Sequence, residues 1–594
     1  MKLKLAALAV AFACFAPAFA QTPINPEAAS GFASKQAVKA NRFMVATANP
    51  LATDAAYAML AQGGSAVDAA IAAQLVLTLV EPQSSGLGGG AFLLFFDRKK
   101  SQVFALDGRE TAPAAATDAL FLGADGKPLA FYEGVVGGRS VGVPGAVKML
   151  EMAHQQFGKL PWAALFAPAI KLAREGFAVS PRLNTLLAAE LHLKKDPVAA
   201  RYFYDAAGQP LAVGTVLKNP ELAATLERIA TEGSAPFYRG SIARNIVTKV
   251  QGHPSNPGTL GLRDMVFYTP KQRQALCSDY RQWTVCGMPP PSSGGIAVAQ
   301  MLGTLEGTDI AQLKPNRQAD GSYVPHPKAV HLFAEAGRLA FADRGLYVAD
   351  PDFVPPPAGL TDRAYLKERS KLIGEKSMGR AAPGEPAKKK VSWAHDRSPE
   401  LPSTSHISVI DAAGNAVSMT TSIEDQFGSR QMVDGFLLNN QLTDFSFVSQ
   451  ENGKPVANRV EPGKRPRSSM APTLVFKKGK QPGQLGELVL VTGSPGGSQI
   501  ISYVGRTLLG ALDWELDIQQ AISMPNYGSR NGPTEVEKGR MPAAVVDALK
   551  ARGHEVREIE MTSGIQGISR QAIRGQAVLV GGADPRREGT VRGQ

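Results

Sequence analysis

Cysteine is scarce in this chain. There are three in 594 residues, and Cys14 falls inside an apolar N-terminal run, so Cys277 and Cys286 alone remain for the body of the protein. No paired C-x-x-C clusters and no H-E-x-x-H helix occur, and the eight histidines are dispersed, which leaves no pattern for a catalytic metal. There is no G-x-x-x-x-G-K-[ST], so a nucleotide-binding P-loop is excluded. G-x-S-x-G occurs once, at Gly138-Arg139-Ser140-Val141-Gly142, but no apolar strand run leads into it, so it does not read as a nucleophile elbow. No apolar stretch is long enough to span a membrane as a stable helix. No cofactor is expected, and any hydrolytic nucleophile has to be found elsewhere.

The chain is otherwise of globular type, with 44% hydrophobic and 20% charged residues, enough for a large core. Its 60 glycines and 42 prolines imply many turns. The net charge is +12. The basic residues are scattered, with Lys388-Lys389-Lys390 and Arg98-Lys99-Lys100 as the tight runs, and no nucleic-acid-binding motif is recognisable. The charge therefore reads as a solvated surface, without a nucleic-acid partner.

Lys2 and Lys4 precede the apolar run Leu5 to Phe15, and Ala18-Phe19-Ala20 supplies a small-x-small site. This is the pattern of a secretory signal peptide, residues 1–20, cleaved after Ala20. Ala11-Phe12-Ala13 before Cys14 is a poor lipoprotein site, so no stable membrane anchor is expected. The expected location is the periplasm or the medium. An oxidising compartment permits a disulfide between Cys277 and Cys286, and the alternating segment Ser278 to Val285 could fold as a hairpin that brings them together. Two unpaired buried thiols are the alternative.

Residues 21–45 read as a polar leader into the fold. Ala55 to Leu60 and Ala66 to Val80 read as alanine-rich helices separated by Gly63-Gly64. Ala91 to Phe96 and Val103 to Asp107 read as strands. Amphipathic helices are expected at Val147 to Phe157, Ala164 to Glu175 and His331 to Tyr347. Residues 350–402 are rich in Pro, Lys, Gly and Ser, and Gly379 to Arg397 reads as an exposed loop. Strands follow at His406 to Asp411, Ala416 to Thr421, Gly435 to Leu438, Thr473 to Phe476 and Leu488 to Val491, then helices at Gln499 to Leu512 and Ile518 to Met524. This order suggests sheets sandwiched between helical layers.

The loop Gly86 to Ala91 fits G-x-G-x-x-A, but it runs from a helix into a strand, the reverse of a dinucleotide fingerprint. Ser403-Thr404-Ser405-His406 is more informative. A long loop runs into a hydroxyl cluster that opens a strand, the arrangement an N-terminal nucleophile needs. A threonine hydroxyl is a poor nucleophile until a base takes its proton. A free α-amino group on the same residue, with a pKa of about 7.7–8.0, can do so. That amine exists only after the bond before Thr404 is broken. His406 reads as a packed strand residue.

The chain resembles the gamma-glutamyltranspeptidase family from about Asn41 to Gly589. The resemblance lies in Asp107-Gly108-Arg109-Glu110-Thr111-Ala112-Pro113, Pro289-Pro290-Pro291-Ser292-Ser293-Gly294-Gly295, Asn439-Asn440-Gln441-Leu442-Thr443-Asp444-Phe445-Ser446, Pro462 to Met470, and Thr492-Gly493-Ser494-Pro495-Gly496-Gly497-Ser498. It implies that Thr404 is both the self-cleavage residue and the nucleophile, supported by the hydroxyl of Ser422. It implies that Arg109, Ser468 and Ser469 hold a substrate α-carboxylate, a task suited to guanidinium geometry. Asp444, with Gln441 and Glu424 beside it, would hold the α-ammonium. Gly496 and Gly497 would direct backbone N–H groups at the oxyanion.

Two departures stand out. Glu424 takes a position that is asparagine in many relatives. The stretch Phe445 to Lys464 lacks the full insert that forms a lid in other members, which implies an open, wet cleft.

The resemblance implies an α+β N-terminal-nucleophile hydrolase, a four-layer αββα sandwich made jointly by a large piece, 21–403, and a small piece, 404–594, of one precursor. Expected donors are γ-glutamyl amides such as glutathione, and expected acceptors are water, amino acids or peptides. Two alternatives stay open. One is an acylase of the same fold acting on glutaryl- or cephalosporin-type amides, against which stands the argument that such a substrate leaves Asp444 unpaired. The other is a non-catalytic exported binding protein, which would have no need of self-cleavage.

Overall fold

The structure is a computed structural model that describes residues 30–386, 392–396, 398, 403–481, 483–573 and 575–594. The expected signal peptide, the Lys388–Lys390 run and most of the approach to Thr404 lie outside the described residues.

Fourteen strands make two sheets. In chain order they are β1 Val38–Ala40, β2 Met44–Thr47, β3 Gly90–Asp97, β4 Gln102–Gly108, β5 Lys271–Gln274, β6 Leu276–Tyr280, β7 Trp283–Gly287, β8 Ser405–Ile410, β9 Ala416–Ser422, β10 Thr473–Lys478, β11 Leu485–Gly493, β12 Gln566–Ile573, β13 Gln576–Ala583 and β14 Thr590–Gly593. The first sheet runs β1-β13-β12-β11-β10-β7-β6, and the second runs β14-β2-β8-β9-β3-β4-β5. Every neighbouring pair is antiparallel. Both sheets combine strands from either side of Thr404: β10 to β13 lie between β1 and β7 in the first, and β8 and β9 lie between β2 and β3 in the second.

Helices cover both outer faces. Helices α1 (Pro50–Ala61) and α2 (Ala66–Val80) lie on the second sheet, and α3 (Gly294–Glu306), α5 (Ile500–Leu512) and α6 (Ile518–Ser523) lie on the first, with α4 (Pro327–Tyr347) packed against α3. This is the expected αββα sandwich. Helix α2 is buried at every position, as a helix apolar all round must be. Its start is fixed by a reciprocal capping box between Ser65 and Asp68. Asn49 caps α1 ahead of Pro50.

Period-two alternation separates the layers. In β3, Leu93 and Phe95 join the helix-side core, while Phe92, Leu94 and Phe96 join the core between the sheets. Phe96 meets Phe476 of β10 edge-on at 4.8 Å. Because helices cover the outer faces, β3 is apolar on both sides.

Several expectations need correction. Residues 21–45 are not only a leader, since Val38–Ala40 and Met44–Thr47 are sheet strands pairing with chain 360 or more residues away. Gly435 to Leu438 contributes only Phe436–Leu437, paired with Met432–Val433 in a separate ladder. Ala164 to Glu175 is split into a 3-10 turn, Trp162–Phe166, and a helix, Ala167–Glu175. Pro168, which has no N–H to donate, sits in that helix's first turn. Cys277 and Cys286 face each other across β6 and β7 and are joined by a disulfide. No helix among the described residues is long and apolar enough to cross a membrane.

Candidate active site

Thr404 sits one residue before β8. In the β8–β9 register Ser405 pairs with Thr421, which carries Thr404 opposite Ser422. The Thr404 hydroxyl donates to Ser422 Oγ at 3.0 Å, and the Glu424 N–H donates to the same oxygen at 2.9 Å. The flanking residues are also anchored. Ser403 Oγ donates to the Gln83 carbonyl at 2.8 Å, Ser85 Oγ donates to Ser405 Oγ at 3.1 Å, and Arg587 Nη1 donates to the Thr404 carbonyl at 3.1 Å. Thr404 has φ 124°, a backbone region that β-branched residues avoid and that costs on the order of 1–3 kcal/mol. The strain is at the bond expected to break.

The glycine loop lies directly behind this strand end. A Cβ on Gly89 would lie 2.1 Å from the Ser422 carbonyl oxygen, and one on Gly88 would lie 2.1 Å from that of Leu437. The glycines therefore serve close backbone approach rather than nucleotide binding.

One pocket of about 290 Å3, counting its open mouth, gathers Arg109, Thr404, Ser422, Glu424, Gln441, Asp444, Ser468, Ser469, Met470, Gly497 and Ile500. Nine of the ten expected site residues line it, and Gly496 stands just outside. Gly496 has φ 131° and Gly497 φ 55°. They form the turn that enters α5, where backbone N–H groups and the helix dipole favour a negative charge. No residue from Phe445 to Arg467 lines the pocket. That stretch makes a small hairpin and packs Phe445 and Val460 against Ala112, Ala116 and Phe121, with Phe447 stacked on Phe121.

Arg109 is buried at 1% exposure. Its Nε donates to the Pro466 carbonyl at 3.1 Å, its Nη2 donates to the Arg467 carbonyl at 3.1 Å and to Asp444, and its Nη1 lies 3.7 Å from Glu110. Burial works to lower its pKa, but the Asp444 and Glu110 carboxylates outweigh it and hold the value above that of an ordinary arginine. Burial pushes the neighbouring Glu110 up to about 8, against the pull of Arg109.

Arg109 and Asp444 thus form an ion pair of the order and sense that a zwitterionic α-amino-acid head group would meet. The argument that an ammonium-free acyl group leaves Asp444 unpaired is overturned, because Arg109 already neutralises it.

Asn440, within the quoted motif but not assigned there, donates to Glu424 and accepts from the Asp425 N–H at 2.9 Å. Arg344, which donates to Ser293 Oγ and Ser469 Oγ at 2.7 Å each, and Arg587, which holds the Thr404 carbonyl, were also missed. Each is far from its partner in sequence, and no local pattern marks it.

His406 is fully buried between Thr420 Oγ1 at 2.9 Å and Ser408 Oγ at 3.1 Å. Burial lowers its pKa to about 3, so it is a neutral strand residue outside the pocket. Among the described residues, one group could ligate a metal: His331, Glu335 and His554. Its ring nitrogens are already engaged with each other at 2.8 Å, with the Gly374 carbonyl at 2.8 Å and with Thr534 Oγ1 at 2.7 Å, and Arg338 pairs with Glu335. Both imidazoles are therefore committed to protein partners.

Residues 52–594 match the model of the gamma-glutamyltranspeptidase family. The chain is 36% identical over 522 residues to a glutathione hydrolase proenzyme of Bacillus subtilis (strain 168), covering 86% of this chain and 85% of that one. It is 34% identical over 576 residues to an acylase proenzyme of Pseudomonas sp. (strain V22), covering 95% and 96%. Among solved structures, a cephalosporin acylase from Bacillus halodurans superposes with a TM-score of 0.80 at 28% identity, covering 96% of this chain and 99% of that chain.

Proposed function

Because the chain belongs to the gamma-glutamyltranspeptidase family, we propose that it is an exported, self-cleaving amidohydrolase and acyltransferase that takes γ-glutamyl amides, glutathione among them. The carrying observation is the convergence of Thr404, Ser422, Arg109, Asp444, Ser468 and Ser469 on one pocket.

Cleavage comes first. Thr404 Oγ1 attacks the Ser403 carbonyl, the amide shifts to an ester, and water hydrolyses the ester. The products are a Ser403 carboxylate and a free Thr404 amine. The strained φ of Thr404 raises the energy of the uncut state and is released by the cut, since no peptide bond then precedes the residue.

In the mature enzyme the amine accepts the Oγ1 proton, and the Ser422 hydroxyl holds Oγ1 in place. The substrate head group lies along the Arg109–Asp444 pair, with its carboxylate on Arg109, Ser468 and Ser469 and its ammonium on Asp444, Glu424 and Gln441. Oγ1 attacks the γ-carbonyl, and the developing oxyanion is met by N–H groups of the Gly496-Gly497 turn at the start of α5. The amide nitrogen leaves with a proton from the Thr404 ammonium. Water or an amine then takes the acyl group by the reverse sequence.

An acylase activity on dicarboxylic acyl groups is the second reading. It is favoured by the Arg109–Asp444 pairing, which leaves no uncompensated carboxylate when the ammonium is missing. Side-by-side rates on L-γ-glutamyl and glutaryl 4-nitroanilides decide. Faster turnover of the first by tenfold or more supports the γ-glutamyl reading, and the opposite preference overturns it. N-terminal sequencing of the small piece should begin Thr-Ser-His-Ile-Ser, whereas an active but uncut chain would overturn the mechanism.

A further inference from the structure

We propose that a cleft between the two sheets, at the end opposite Thr404, is a second binding site that takes a small multivalent oxyanion, an organic phosphate or a polycarboxylate. This end of the molecule plays no part in the activity proposed above.

β8 starts beside Thr404 and ends at Ile410. Six residues at a rise of about 3.4 Å each put roughly 20 Å between the two ends. Near Ile410 a cleft opens between the sheets. The β3–β4 and β8–β9 turns of the second sheet form one wall, and β11, β12 and β13 of the first sheet form the other. The cleft measures about 1110 Å3 counting its open mouth, against about 290 Å3 for the pocket at Thr404. Phe96, Ile410, Leu488 and Leu579 line its inner part, each 5% exposed or less.

Three arginines enter this cleft from three directions. Arg98 comes from the β3–β4 turn, Arg570 from β12, and Arg42 from the turn between β1 and β2. Among the described residues, none of the three forms an ion pair with a carboxylate. Arg98 Nη1 donates to the Ala413 carbonyl at 3.3 Å, and Arg42 Nη1 donates to Gln594 Oε1 at 3.3 Å, both neutral acceptors. Arg570 makes no side-chain hydrogen bond among the described residues. Arg98 is also held in place. Its backbone N–H donates to Asn415 Oδ1 at 3.0 Å, and a Cβ on Gly414 would lie 2.8 Å from Arg98 Cδ, so glycine there leaves room for the stem.

The two acidic residues of the cleft are already occupied. Asp411 accepts the Ala413 and Asn415 N–H groups and Asn415 Nδ2 at 2.9 Å each, and the Ala66 N–H at 3.1 Å. Glu487 pairs with Lys477 at 2.9 Å. That contact, with smaller pulls from Arg570 and Arg98, holds its carboxyl below the usual range. Both arginines thus act on one neighbourhood at the mouth.

Guanidinium charges gathered in one cleft without a carboxylate between them repel one another, and a bound anion relieves that repulsion. Their forked donors match carboxylate and phosphate oxygens in pairs. A cleft lined by one sign of charge over an apolar wall focuses the field on its ligand. A monovalent anion answers one of the three charges, whereas a ligand carrying two or three answers the set.

The test is isothermal titration calorimetry on the full-length, self-processed protein, with pyrophosphate and citrate as probes and acetate as the monovalent comparison, all at matched ionic strength. At least one probe should bind once per chain with a Kd of about 100 µM or tighter, and acetate about thirtyfold more weakly or worse. Arg570→Gln and Arg98→Gln should each weaken the probe about tenfold, as the loss of a hydrogen bond to a charged group does. Lys99→Gln, beside Arg98 but outside the cleft lining, should stay within about twofold. An excess of L-glutamate, which carries the head group proposed for Arg109 and Asp444, should leave the affinity unchanged within about twofold.

Absence of binding by both probes, an equal loss in Lys99→Gln, or displacement by L-glutamate would overturn the proposal. Should the arginine variants fail to mature, Ala577→Trp decides, because Ala577 is an exposed lining residue on β13 where bulk narrows the cleft and leaves every charge in place. A loss of about tenfold or more supports the site, and undiminished affinity overturns it.

Discussion

The hydroxyls of Thr404 and Ser422 stand 3.0 Å apart across the first rung of the β8–β9 pair, so the nucleophile is aimed by sheet register rather than by a loop. Thr404→Ala should give an uncut, inactive precursor, and Thr404→Ser should still process. Ser422→Ala should process slowly and lose the equivalent of about 1–3 kcal/mol in kcat, the usual cost of an orphaned buried partner. Ser422→Thr should restore it. Denaturing gels and anilide release supply both readouts, and an active, cleaved alanine variant at 404 would place the nucleophile elsewhere.

Arg109→Ala should lower kcat/KM on a γ-glutamyl anilide by thirtyfold or more, since removing one partner of a buried charge pair costs on the order of 2–5 kcal/mol. Arg109→Lys should recover only part, because a point charge cannot make the fork. Part of the Arg109→Ala cost is an unpaired Asp444. The double variant with Asp444→Asn should therefore be more thermostable than Arg109→Ala alone. Equal or lower melting temperature in the double variant would show that the two residues are not coupled.

Gly89→Ala should block maturation. Its Cβ would fall 2.1 Å from the Ser422 carbonyl oxygen, and backbone at both ends of the contact leaves nothing flexible to yield. The expected product is insoluble or uncut chain, and normal processing with normal kcat would refute the packing argument.

Activity should rise with pH through an apparent pKa near that of a free α-amine, about 7.7–8.0, because the base must be unprotonated to accept the Oγ1 proton. Acetylating the Thr404 amine should abolish the rise together with the activity. A flat profile from pH 6 to 9 would remove the amine as base.

Stability should fall on the acid side. Burial depresses His406 and His554 from 6.5 to about 3, with His554 also repelled by His331 and Arg338. A depressed folded-state pKa means that the unfolded chain takes up protons first. The contribution is complete above pH 6.5 and is lost progressively as the pH drops toward 3. Within that window each imidazole can contribute a slope of up to about 1.4 kcal/mol per pH unit. Melting temperatures between pH 7.5 and 5 should drop, and His554→Gln should flatten the curve. Parallel curves for the variant and wild type would contradict this.

The strands β3, β4, β8 and β9 were legible from alternation and turn residues, and α2 from its unbroken apolar run. The pocket residues were legible because chemistry demanding fixed residue types sits in short motifs. The short strands Val38–Ala40 and Met44–Thr47 were not, since their partners include Leu579 to Gly581 and Gly593. The partners that make them strands lie 360 or more residues away. Arg344 was invisible for a related reason. On the helix it reads as a C-terminal cation, and only the tertiary arrangement brings Ser293 and Ser469 to its fork. The pairing of Arg109 with Asp444 reversed one argument outright, because residue types alone show which charges are present but not which are already matched.

The mixing of early and late strands in both sheets has a consequence for how such a protein can be made. β8 and β9 lie between β2 and β3, and β10 to β13 lie between β7 and β1, so neither product of the cut owns a complete sheet. Mixed from separately purified halves, the two polypeptides would have to rebuild every layer at once from strands with exposed edges, with association competing against aggregation. The linkage before Thr404 matters while the chain is finding its shape and not afterwards. Maturation is therefore irreversible in a topological sense, and thermal unfolding of the cut enzyme should be a one-way transition even where the uncut Thr404→Ala chain refolds.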